Sequence, residues 1–218
     1  MYSVPKYTNL QQLYRRGIKL LQRMGVEAPE IEAKVLMLKA TGLSEEKFFA
    51  APERELTKRE EKNFWRLLEK RLSGFPLSYV VGEKEFWSLA LKTLAGVFIP
   101  RPETELLVEK VLELSSRGEE TIVDIGTGSG NIAVALAKEL PRARIIAADI
   151  SARAVKAARL NARIHKTGNI QFVRGNLYSA LAGLNLEKKV DFVVCNPPYV
   201  TPQEWAGLPG PIRNHEPR

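Results

Sequence analysis

Hydrophobic positions change their period once along the chain, near residue 75. Before that point apolar residues recur every three or four positions, the spacing of one helix face. In "TNLQQLYRRGIKLLQRMG", Leu10, Leu13, Tyr14, Ile18 and Leu21 share a side and Gly25 ends the run. "PEIEAKVLMLKATG" places Pro29 at a helix start, where its missing N–H costs nothing, and stops at Gly42. "LSEEKFFA" offers Ser44 as an N-cap. "LTKREEKNFWRLLEKRLSG" pairs Thr57 with Glu60 as a capping box and ends at Gly74. Four short helices joined by tight loops predict a small all-α bundle over residues 1–75.

Beyond it the pattern breaks. "FPLSYVVGEKEFWSLALKTLAGVFIP" mixes Gly and Pro with β-branched and aromatic residues, which predicts a connector over 76–98 with a hairpin near 84–94. "RPETELLVEKVLELSSRG" returns to helix, with Pro102 starting it and Leu106, Leu107, Val111 and Leu114 as its apolar face. From there short apolar runs alternate with helical ones: "TIVDIG", "GNIAVALAKEL", "ARIIAAD", "SARAVKAARLNARIHKTG", "IQFVRG", a loop with a short helix, and "VDFVVCN". Apolar strands separated by helices specify parallel βαβ units, so residues 99–218 predict an α/β domain with a Rossmann-like sheet.

Composition adds limits. A hydrophobic share of 44% and a charged share of 27% are ordinary globular values. "MYSVPKYTNLQQLYRR" lacks the apolar core of a signal peptide, and no run approaches the ~18 apolar residues of a membrane span, so a cytoplasmic protein is expected. The single cysteine, Cys195, ends an apolar run and reads as a small core residue. His165 and His215 stand alone in sequence, so no metal is predicted. The net charge of +8 is spread: 16 Lys and Arg against 12 Asp and Glu up to residue 85, and 17 against 13 after it. Solvated helix faces account for that, with a slight pull toward an acidic or RNA-associated partner.

The chemistry sits at the strand ends. "VDIGTGSGN" follows the first strand of the alternating region, at the edge where doubly wound sheets bind ligands. Gly126, Gly128 and Gly130 fit either a cofactor cradle or a tight structural turn. The dinucleotide fingerprint G-x-G-x-x-G is not met, because Asn131 stands where the third glycine should be. Asp149, at the end of the second strand, suits a carboxylate accepting the two hydroxyls of a ribose; the bland alternative is a helix N-cap, a role that Ser151 could equally fill. Asp124, just before the loop, would repel a diphosphate. S-adenosylmethionine has a ribose, an adenine and a cationic end but no phosphate, and fits these acids better than NAD. Asn196-Pro197-Pro198-Tyr199 follows the fourth strand. Proline ends strand pairing and leaves a carbonyl with little donor competition. That carbonyl and the Asn196 oxygen could grip the two N–H groups of a planar amino group, with Tyr199 packed on the flat system that carries it.

These motifs together resemble class I S-adenosylmethionine-dependent methyltransferases acting on planar amino groups. "GEKEFWSLALKT" and "IPRPETELLVE", behind a helical domain, resemble one branch of them, the PrmC/HemK-type protein-glutamine N5-methyltransferases. The resemblance implies a helical domain that docks peptide chain release factors, and a reaction at the glutamine of their Gly-Gly-Gln loop. It implies cofactor contacts from Gly126, Thr127, Gly128, Ser129, Gly130, Asp149, Asn176, Leu177 and Asn196. It also implies catalytic roles for Asn196, Pro197 and Tyr199, and substrate contacts from Asn196, Pro197, Pro198, Tyr199, Arg101 and Glu103, with Ile99 to Glu103 lining the pocket entrance. The family usually has an acid where this chain has Asn176, so weaker cofactor binding is expected. Members continue past "NHEP" with further strands, whereas this sequence stops at Arg218, so a chain truncated at its C-terminus is expected, with the "NPPY" strand left as an exposed edge. The alternatives are an amino-methyltransferase of nucleic acid and an inactive fragment; a monomer without membrane or direct nucleic-acid binding is expected.

Overall fold

The computed structural model describes residues 9–197 and 200–217. The chain divides into two compact units, Met1–Val81 and Gly82–Arg218. The segment 76–98, expected as one connector, is thereby divided: its first residues form a helix of the first unit, and its hairpin belongs to the second.

The first unit holds α1 (Leu10–Arg23), α2 (Pro29–Thr41), α3 (Glu45–Ala50), α4 (Lys58–Leu72) and α5 (Leu77–Val81). The cap signals act as written in the sequence. Ser44 accepts from the Lys47 N–H, and Thr57 and Glu60 close a reciprocal capping box. Leu10, Leu13, Leu36, Met37, Phe64 and Leu68 are fully buried between the helices. A Cβ at Gly17 would lie 2.7 Å from the Phe64 ring, so glycine sets how closely α1 approaches α4. Arg71 grips Glu32 through two hydrogen bonds of 2.6 and 3.0 Å, tying α4 to α2. The five-residue α5 was not predicted, because its β-branched composition after Pro76 reads as extended chain.

The second unit opens with a hairpin, β1 (Glu83–Phe86) and β2 (Leu89–Lys92). Its two turn residues, Trp87 and Ser88, both have positive φ (52° and 55°), the backbone that suits a two-residue hairpin turn. A 3-10 turn (Pro102–Thr104) leads into α6 (Glu105–Leu114). The buried face of α6 is Val108 and Val111, whereas Leu106 and Leu114 are 65% and 57% exposed. The expected face Leu106–Leu107–Val111–Leu114 is therefore corrected: the buried arc runs through Val108 and Val111 with Leu107 and Leu112 partly buried at its sides, and Leu106 and Leu114 fall outside it.

There follow β3 (Thr121–Ile125), α7 (Asn131–Glu139), β4 (Arg144–Asp149), α8 (Ala152–Ile164), β5 (Ile170–Arg174), a second 3-10 turn (Leu177–Leu181), β6 (Phe192–Cys195), α9 (Pro202–Gly207) and α10 (Gly210–His215). The sheet is parallel with order β5-β4-β3-β6. The chain steps outward from β3 through β4 to β5, then crosses back to place β6 on the other side of β3. The order reverses at β3, so the ligand crevice of such a sheet opens at the carboxyl ends of β3 and β6. Ile122, Val123, Ile145, Ile146 and Ala147 are fully buried, as strands covered on both faces require.

Candidate active site

Register brings the predicted residues together. Ile125 pairs with Ala148 on one side and Cys195 on the other. Gly126, Asp149 and Asn196 therefore leave the sheet side by side, spread over two strand spacings, about 10 Å. On the far side of β4, Asp149 pairs with Arg174, which delivers Gly175, Asn176 and Leu177 to the same edge.

The glycine loop presents main chain. The Gly126 and Thr127 N–H groups both donate to the Ala148 carbonyl, and Gly130 N-caps α7 at φ 81°. A Cβ at Gly126 would meet nothing within 4 Å, so the loop leaves open space there. Gly130 is the opposite case, since a Cβ would stand 2.9 Å from the Ala158 Cβ and 3.0 Å from its Cα. Gly130→Ala is expected to cost about 2–4 kcal/mol of stability, from left-handed strain plus overpacking against α8; urea unfolding measures it. Thr127 and Ser129 are buried. The Thr127 hydroxyl donates to Asp124 Oδ2 at 2.6 Å, so these two residues offer a ligand only their backbone.

Asp149 is not the side-chain cap of α8. The N-cap of α8 is Ser151, whose hydroxyl accepts from the Ala154 N–H. Asp149 instead accepts from the Gly128 N–H through Oδ2 (2.9 Å) and from the Ser151 N–H through Oδ1 (2.8 Å). Each oxygen keeps a further lone pair, and the residue is only partly buried. Beside it stand two exposed apolar side chains, Ile150 (65%) and Leu177 (59%), at the ends of β4 and β5. Leu177 has φ 45°, which is strained for a bulky residue. Ile150 was not singled out in the sequence; an aliphatic residue directly after the strand-ending acid was the available signal.

Asp124 is fully buried beneath the loop. Burial pushes its carboxyl up to about 7; the Thr127 hydroxyl and the Ala133 amide oppose that, and the Asp149 charge adds to it. An unfolded aspartate titrates near ~3.9. Between about pH 4 and 7 the unfolded chain therefore loses a proton that the folded chain keeps. The stability this carboxyl contributes is complete below about pH 4 and gone above about 7. Asp124→Asn removes that dependence, so the variant should gain on the parent as pH rises from 4 to 7 and level off beyond, read by urea unfolding at each pH. Burial, with Asp124 nearby, also raises the Cys195 thiol, so it is held as the protonated form. Among the described residues no cluster of His, Cys, Asp and Glu is placed to hold a metal ion.

Asn161 was also missed. It lies on α8, fully buried, and accepts from the Lys92 N–H (2.7 Å) while donating to the carbonyls of Lys92 (3.1 Å) and Ser129 (2.9 Å). One amide thus ties β2 to the glycine loop. An asparagine in the middle of an otherwise Ala-rich helix was the signal in the sequence.

At the end of β6, Asn196 is partly buried and Pro197 exposed. Pro198 and Tyr199 lie outside the described residues. Asn196 Nδ2 donates to the Thr104 hydroxyl at 3.0 Å. Of the segment expected at the entrance, Glu103 is exposed. Arg101 is committed elsewhere: its guanidinium takes both oxygens of Glu216 at 2.8 and 2.9 Å and lies 4.7 Å from the centre of the Phe98 ring. Glu216, with a side chain only 1% exposed, is separated from Arg101 by 115 residues and has no counterpart in a local pattern.

Two family models match. The one described as "Methyltransferase small domain" covers residues 88–207, and "PrmC N-terminal domain" covers residues 12–82. The chain is 41% identical to the release factor glutamine methyltransferase of Moorella thermoacetica, over 96% of this chain and 73% of that one. The chain belongs to the release factor glutamine methyltransferase family. With the enzyme of that name from Aliivibrio fischeri it shares 38% identity over 88% of this chain and 66% of the other; with that from Chlorobaculum tepidum, 36% over 98% and 75%. It therefore spans about two thirds to three quarters of these relatives' lengths. Its second unit is a methyltransferase domain of class I type, a parallel sheet flanked by helices, behind the helical PrmC N-terminal domain.

The cofactor implied for a release factor glutamine methyltransferase is S-adenosylmethionine, and the residues present fit it. The donor set is carboxylates and open main chain: Asp149 has lone pairs left for hydroxyls, Gly126 leaves room, and Ile150 and Leu177 offer apolar surface for a flat base. The partly exposed Asp149 carboxylate at the crevice disfavours a phosphate, whereas Asp124 lies fully buried beneath the loop and keeps its proton up to about pH 7.

Proposed function

We propose that this chain transfers a methyl group from S-adenosylmethionine to the side-chain amide nitrogen, N5, of the glutamine in the Gly-Gly-Gln motif of peptide chain release factors, acting as a cytoplasmic monomer. The observation that carries the reading is the β3–β6 pairing, which opens the glycine loop and Asn196-Pro197 onto one crevice. Names and similarity of the relatives support the substrate class.

When bound, S-adenosylmethionine supplies an electrophilic methyl group on a sulfonium. Asp149 would hold the ribose hydroxyls, the Gly126–Gly130 main chain would take the amino-acid end, and Ile150, Asn176 and Leu177 would border the adenine. Asn196 Oδ1 and the Pro197 carbonyl accept the two N–H groups of the glutamine amide. An amide nitrogen is a poor nucleophile because its lone pair is delocalised. Two acceptors that fix the N–H directions would turn that lone pair toward the methyl carbon and ease its loss of planarity. Orientation of this kind lowers the barrier by several kcal/mol. As the N–C bond forms the C–S bond breaks, and the nitrogen gives up one proton to solvent at the exposed Pro197. The resemblance also assigns substrate contacts to Pro198 and Tyr199, which lie outside the described residues. Arg101, fixed by Glu216, acts as a wall of the entrance, Glu103 stands at its rim, and the helical unit docks the release factor.

Thermal unfolding with S-adenosylhomocysteine tests the cofactor half. At 100 times its dissociation constant the ligand adds about 2.7 kcal/mol to the state that binds it. The midpoint of the second unit should rise by roughly 5–10 °C; no shift refutes the assignment. Methylation of a release factor with labelled S-adenosylmethionine tests the other half.

One observation favours a second reading, methylation of an exocyclic amino group in nucleic acid. α8 and the turn after it expose Arg153, Lys156, Arg159, Arg163 and Lys166, with no Asp or Glu between them. Nucleic-acid binding that falls steeply with salt, and methyl incorporation into RNA or DNA, would favour it.

A further inference from the structure

The stretch between the hairpin and α6 meets Asn196 across 92 residues of sequence through the Thr104 hydroxyl, which accepts from Asn196 Nδ2 at 3.0 Å. Thr104 is only 6% exposed, and its position is over-determined. Its N–H donates to the Arg101 carbonyl at 3.1 Å, closing the 3-10 turn that Pro102 starts. The same turn is clamped by the Arg101–Glu216 pair.

We propose that Thr104 is a positioning residue that holds the plane of the Asn196 amide toward the substrate. The last torsion of an asparagine is broad unless one end of its amide is held, and here the Nδ2 end is held by the buried Thr104 hydroxyl. A hydroxyl can donate as well as accept, so Thr104 sets the direction of the amide rather than choosing between its ends. With Nδ2 on Thr104, Oδ1 is the atom that faces the substrate. The inference rests on the reading above, because only a substrate presenting N–H groups needs an acceptor there. Threonine serves this better than serine in one respect: its branched Cβ restricts χ1, so the hydroxyl direction is set before substrate arrives. Nothing in "IPRPET" as a string announces the contact, since the turn and the strand end meet only in the folded sheet.

Two variants and two readouts test it. Thr104→Val keeps the shape and removes the hydroxyl; Thr104→Ser keeps the hydroxyl. The first readout is the side-chain 15N–1H pair of Asn196 in the full chain, assigned by its absence in Asn196→Ala and followed with S-adenosylhomocysteine present. In the parent and in Thr104→Ser this pair should be resolved and slow to exchange. In Thr104→Val it should shift and exchange about 10-fold faster, as expected for a lost hydrogen bond. The second readout is methyl transfer to a release factor. Thr104→Val should lower kcat about 10–30-fold, with KM and the S-adenosylhomocysteine affinity within about 3-fold, and Thr104→Ser should restore it. An Asn196 signal unchanged in Thr104→Val overturns the inference. So does an equal loss of activity in both variants that tracks a falling melting temperature, which marks a purely structural threonine. A parent chain that shows the Asn196 response yet methylates no release factor supports the positioning role and overturns the substrate assignment instead.

Discussion

Asn196→Ala is expected to slow methyl transfer to a release factor about 10²–10³-fold, the usual effect of deleting one preorganised group that acts on the reacting atoms. The variant keeps β6 and its pairing with β3, because the register runs through Phe192 to Cys195 and uses only main chain. Among the described residues, the glycine loop and Asp149 make no hydrogen bond to Asn196, whose side chain there pairs with Thr104. Affinity for S-adenosylhomocysteine should therefore stay within about 5-fold, as for a group whose contribution is made mainly in the transition state. Single-turnover methylation with labelled cofactor, beside calorimetric titration of S-adenosylhomocysteine, separates the two quantities. A variant that retains a third of the parental rate would remove Asn196 from the chemistry.

Asp149→Ala should act on the other quantity, weakening S-adenosylhomocysteine about 10²-fold or more. A carboxylate that accepts two hydroxyls contributes roughly 1.5–3 kcal/mol for each hydrogen bond. The substitution also releases the Gly128 and Ser151 N–H groups that shape the site from the protein side. Asp149→Asn should be nearly as damaging. Two backbone donors converge on the two carboxylate oxygens, and an amide has only one oxygen to give, so its NH₂ must face a second donor. Calorimetric titration reads the affinity. If both variants bind within 3-fold of the parent while their melting temperatures fall, Asp149 is a loop brace and the ribose lies elsewhere.

The fold was legible where local rules decide it. The capping box at Thr57 and Glu60, Pro29 at a helix start and the alternation after residue 120 all appear in the structure as the spacing predicts. The hairpin was placed within a residue or two of β1 and β2. The glycine loop, Asp149 and Asn196-Pro197 were legible as a set because parallel strands discharge their carboxyl ends on one edge, so any residue that follows a strand is a candidate. What stayed hidden depends on contacts distant in sequence. Thr104 looked like part of a helix start, Asn161 like one polar residue in an Ala-rich helix, and Glu216 like part of a polar tail. Each acquires its role from a partner 32 to 115 residues away. The phase of α6 was misjudged because its apolar residues offer two overlapping faces, and packing, which the period does not carry, chose the one through Val108 and Val111.

The Asn161 amide has a consequence for how the molecule assembles. It joins Lys92 and Ser129 to α8, and those partners lie 69 and 32 residues from it in the chain. Helices and two-residue hairpins form within microseconds, whereas contacts that close long loops come later and set the pace of folding. The strand, loop and helix that carry the three glycines can therefore be present while the Ser129 carbonyl still lacks its partner. The loop's bond through Ser129 is completed only when α8 has packed against it, and the hairpin joins the same amide through Lys92. A newly made chain is therefore expected to finish its glycine loop late, once parts 32 and 69 residues apart have met.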